Sequence, residues 1–103
     1  MKSIIDTSEI LGTVALRNGQ AEVCASAEAS HASGKVAVRL DAFLRPIHVH
    51  GKEERLSADW LPHPETITES VSLEEASEVA RDIFHKWVRK IRAATPSIHS
   101  SAT

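Results

Sequence analysis

His48 and His50 are separated by one residue, so an extended segment places both imidazoles on the same face, and Glu54 follows to complete H-x-H-x3-E. Two ring nitrogens and a carboxylate are the ligand types that zinc and related divalent ions prefer. Such a site also needs a ligand converging from a second element, and His63 is the candidate that the chain offers. A hairpin about Gly51-Lys52 would set Glu53, not Glu54, across from His50. It would also bring Arg55 beside His48, where a guanidinium opposes a bound cation. We therefore read this stretch as the polar face of a hairpin and expect no metal.

The H-x-H-x3-E spacing resembles part of the first metal motif of cupin barrels. Ala42 and Leu61 stand where that motif carries glycines, and no later stretch supplies the second motif. A small metal-dependent enzyme is thus the third of the functional readings. Cys24 falls between Glu22 and Ser26 and opposite Asp41 in the expected register, and acidic neighbours discourage the thiolate a nucleophile needs. No glycine-rich phosphate loop is present, because Gly12, Gly19, Gly34 and Gly51 each fall at a turn or an element end. No pair of carboxylates with opposed environments can be identified. We expect no catalysis and no cofactor.

The elements that would position these residues are clearer. Apolar residues alternate within each of a series of runs from Val14 to Trp60, the pattern of strands buried on one side. Asn18-Gly19 suits a tight hairpin turn and would pair Leu16 with Ala21 and Val14 with Val23. A four-residue loop over His31-Ala32-Ser33-Gly34 would pair Ala29 with Val36, Ala27 with Val38, Ala25 with Leu40 and Val23 with Ala42. Parity flips across Pro46, which predicts a bulge there and continuation of the strand to His50. Leu56, Ala58 and Trp60 then face inward from a fourth strand, and Pro62-His63-Pro64 ends the sheet. Glu65–Ser70 reads as a connector, with room for a brief extended stretch at Thr66-Ile67-Thr68.

Ser72-Leu73-Glu74-Glu75 has the form of a capping box opening a helix over Ser72–Arg92. Leu73, Ala76, Ala80, Ile83, Phe84, Trp87 and Ile91 recur at helical spacing, and Pro96 stops the run. Ile4, Ile5, Ile10 and Leu11 around Thr7-Ser8-Glu9 fit a short N-terminal helix closed by Gly12. The expected architecture is α+β in two layers: a four-stranded antiparallel meander covered by one long C-terminal helix. Residues 1–94 form a single domain in this reading, and 95–103 a flexible tail.

With 103 residues the chain can build one core. Hydrophobic residues at 42% and charged ones at 25% are globular proportions. A formal charge of −2 gives no global attraction to nucleic acid or anionic lipid. The single cysteine excludes an internal disulfide, Asp6 and Glu9 interrupt any signal-like apolar run, and no stretch approaches the ~18 apolar residues of a membrane span. A cytoplasmic location and no membrane partner are expected. Abundant alanine and absent tyrosine point to a bacterial source.

Two surfaces remain. The sheet face away from the helix carries Phe43 with Arg39 and Glu28 around it, an aromatic amid polar residues that suits an interface anchor. The meander edges, Gly12–Arg17 and Glu54–Leu61, are open to strand addition. The expected function is a non-catalytic interaction or assembly module whose partner is another protein or a second copy, giving a homodimer. The alternative is a nucleic-acid-binding domain using Lys86, Arg89, Lys90 and Arg92 at the basic end of the helix. The order α-β-β-β-α would resemble a double-stranded RNA-binding domain. Glu74, Glu75 and Glu78, however, stand at the start of the last helix, where that family places lysines.

Overall fold

The computed structural model describes residues 2–17, 19–47 and 55–96. Strands β1 (Lys2–Leu16), β2 (Gly19–Ala32), β3 (Lys35–Pro46) and β4 (Glu65–Ser70) form one antiparallel sheet in the order β1-β2-β3-β4. One helix, α1 (Leu73–Ala94), packs on one face of it. The meander-plus-helix architecture is therefore that expected from parity and periodicity.

The core forms where small and large side chains meet. Ala21, Val23, Ala25, Ala27 and Ala29 of β2 and Val36, Val38, Leu40, Ala42 and Leu44 of β3 are all buried. From α1 they receive Ala76, Ala80, Ile83, Phe84, Trp87, Val88 and Ile91. Alanines on the sheet let the large helix residues approach closely. The Trp87 indole N–H donates to the Asp41 carbonyl at 2.9 Å, so even the largest core ring leaves no polar atom unmatched.

The structure corrects four expectations. Residues 2–11 are extended rather than helical, continuing β1 to Leu16. Their β-branched Ile5 and Thr7 stand opposite Ala29 and Ala27, a pleated surface that suits them better than a helix does. Two register shifts interrupt β1, each with one extra residue, Ile4 and Leu11, which are β-bulges. Those bulges disguise the strand by breaking its parity.

The fourth strand is Glu65–Ser70, the stretch expected to be a connector, and not the expected strand over Glu54–Leu61, of which residues 55–61 are described and form none. Of the latter, Leu56 makes only an isolated bridge to Leu44, with hydrogen bonds of 2.9 and 2.8 Å. β3 ends at Pro46, and residues 48–54, including the turn at Gly51-Lys52, lie outside the described part.

Both hairpins differ in register from the expectation, and the second is also tighter. Leu16 pairs with Gly19 and Val14 with Ala21; Ala32 pairs with Lys35, giving Ala29–Val38 and Ala27–Leu40. Ser33 and Gly34 hold φ of 52° and 73°, so the second loop has two residues of primed-turn type, not four. Each expected register is off by two residues, which preserves the buried face. Finally, Ser72 is the N-cap and the helix ends where Pro96 requires, but the Ser72 side chain makes no capping hydrogen bond. The capping box is therefore present in sequence and not closed.

Candidate interaction surface

On the sheet face away from α1, cross-strand neighbours arrange charge in rows. Glu22 stands opposite Arg45, Cys24 opposite Phe43, Ser26 opposite Asp41, and Glu28 opposite Arg39. The Arg45 guanidinium donates twice to Glu22 Oε1, at 3.1 and 2.9 Å. Arg39 and Glu28 are 3.6 Å apart and both well exposed, the geometry of a weak surface pair.

Phe43 is half-buried, and its cover comes from within the chain. The Arg55 guanidinium lies 3.7 Å from the ring centroid and pairs with Asp41 at 3.1 Å. Asp41 is itself fixed, because Oδ1 accepts the Ala42 N–H at 2.9 Å and its carbonyl accepts the Trp87 indole. Sequence reasoning missed Arg55 as the partner of Phe43. Its placement depends on the Leu44–Leu56 bridge, which no local pattern encodes. Clefts of about 430 and 410 Å³ flank Arg55, the first lined by Asp6, Glu28, Arg39 and Glu65, the second by Phe43, Asp59 and His63.

Cys24 is buried beside this cluster, 3% exposed, although its row faces away from the helix. Burial pushes its thiol above the ordinary value; Arg45 opposes the rise, Glu22 adds to it, and Arg55 opposes it. Such a thiol is a poor nucleophile. His48, His50 and Glu54 lie outside the described residues, while His63 is exposed.

The basic residues expected at the helix end are all exposed on α1. Lys90 turns to Glu65 at 3.7 Å and stands 5.5 Å over the Trp87 ring. Lys86, Arg89 and Arg92 face solvent on the same helix as Glu74, Glu75, Glu78 and Asp82. Among the described residues no helix is long and apolar enough to cross a membrane.

The least satisfied surface is the free side of β1. It is a 15-residue strand at the sheet margin, with β2 on one side and, among the described residues, no strand on the other. Ile10 on this strand is a large hydrophobic side chain left exposed, at 45%. Between the two bulges, residues 5–10 pair regularly with β2. Comparison with protein families, curated proteins and solved structures finds no match to this chain, so its function is argued from these surfaces alone.

Proposed function

We propose that this chain is a non-catalytic protein-interaction module that receives an extended segment of its partner along β1. The observation that carries this reading is the long margin of β1, whose backbone donors and acceptors on the open side have no neighbouring strand among the described residues. A partner strand would satisfy them and would cover Ile10. The open sheet face supports docking less well. Arg55 already covers Phe43, and Arg39, Arg45 and Arg55 each meet a carboxylate. The polyanion alternative is weakened by the four acidic residues that share the exposed side of α1 with its cations.

Selection from a displayed library of random extended peptides, followed by amide hydrogen exchange, tests the reading. Peptides that bind should slow exchange along β1 and leave the amides of β4 unchanged. Binders that protect only α1 or the face around Phe43 would sink the strand-addition reading.

A further inference from the structure

We propose that the strand added to β1 is a basic one: an extended segment of another protein with two cationic side chains three positions apart, one meeting Asp6 and the other Glu9. This rests on the strand-addition reading of β1 and names the chemistry of its partner. The bulges at Ile4 and Leu11 bend the strand at both ends of residues 5–10, so a straight partner pairs along that stretch. Within it, Asp6 lies in the row away from the helix and Glu9 in the row on the helix side, opposite buried Ala25.

Asp6 stands directly opposite Glu28, and like charges in that relation repel. Glu28 in turn faces Arg39, so the row across the sheet reads Asp6, Glu28, Arg39, two carboxylates and one cation. The row of Glu22 and Arg45 is balanced by comparison. Among the described side chains none makes an ion pair with Asp6 or Glu9. A cation beyond Asp6 completes its row, and a second one, on the other face of the same incoming strand, meets Glu9. The alternation of side chains fixes their spacing, since residues three apart on a strand point to opposite faces.

A second copy of this chain fits this margin poorly. Residues 5–10 contain no lysine or arginine, so self-pairing would bring another Asp6 and Glu9 to a strand that already has an excess of carboxylates.

The test uses two synthetic peptides of threonine and valine, one with two lysines three positions apart and one with glutamates in their place. The lysine peptide should bind about tenfold more tightly at low salt, with the gap closing as salt is added. It should also slow amide exchange at residues 5–10. The double change Asp6→Lys and Glu9→Lys should reverse the preference, and Asp6→Asn with Glu9→Gln, two exposed neutral substitutions, should abolish it. If both peptides bind equally and protect residues 5–10, the basic-partner inference fails while strand addition stands. If neither slows exchange there, strand addition falls with it. Protection of the same amides that grows with protein concentration, without peptide, would make a second copy the occupant and overturn the inference.

Discussion

Cys24 combines a position on the outer row with almost complete enclosure, and its titration reports that enclosure. The unfolded thiol titrates near its ordinary 9.0, whereas burial holds the native thiol protonated to higher pH. Between those values the native state keeps a proton that the unfolded chain releases, so stability declines as pH rises. The contribution is complete below 9.0 and is lost above it. Urea midpoints measured from about pH 8 to pH 10.5 should fall more steeply for the wild type than for Cys24→Ala. Equal slopes would show that the thiol is not enclosed as described. Parity alone placed Cys24 on the correct face. It could not show the enclosure, because Phe43 reaches its position opposite Cys24 only through a register two residues from the expected one, and Arg55 arrives from a distant segment. Glu22, the acidic neighbour visible in sequence, does raise the thiol, but less than desolvation does.

At the scale of elements, face assignment was legible and register was not. Alternation repeats every two residues, so a hairpin slipped by two residues buries the same side chains, and only turn geometry separates the choices. The turn at Ser33-Gly34 illustrates the difficulty: serine occupies a left-handed position where asparagine would have advertised the turn. Replacing it with the residue that the conformation favours should therefore stabilise the β2–β3 hairpin. Ser33→Asn is expected to raise stability by about 0.5 kcal/mol, read as a higher urea midpoint with unchanged slope. A lower midpoint would mean that the loop does not hold the positive φ. The part of β1 before Gly12 escaped detection because two bulges reset its alternation, and β4 because its six residues are mostly exposed and carry no strong apolar signal. The helix, by contrast, was legible almost to the residue, since its buried stripe and the terminating Pro96 are both local.

The whole molecule measures 47 × 29 × 27 Å, longer than a compact domain of its size. A strand of 15 residues at about 3.3 Å each accounts for the long axis, and a helix of 22 residues at about 1.5 Å each cannot cover it end to end. The two layers are fastened near the middle by Trp87, which is 2% exposed and bonded to the Asp41 carbonyl across the interface. Trp87→Ala should cost about 3–5 kcal/mol, because the alanines of β2 cannot fill the gap. Trp87→Phe keeps most of the ring but removes the donor, and should cost about 1–3 kcal/mol. Midpoints that barely move for either variant would refute the clamp. A further consequence concerns what the protein resists becoming. A sheet with two open margins can in principle stack copy upon copy into a fibre. Here Glu9 on one margin and Glu69 on the other both stand in helix-side rows, so β1 of one molecule meeting β4 of the next with the sheet faces continuous sets carboxylate against carboxylate. That repulsion keeps the open strand a receptor and not a seed.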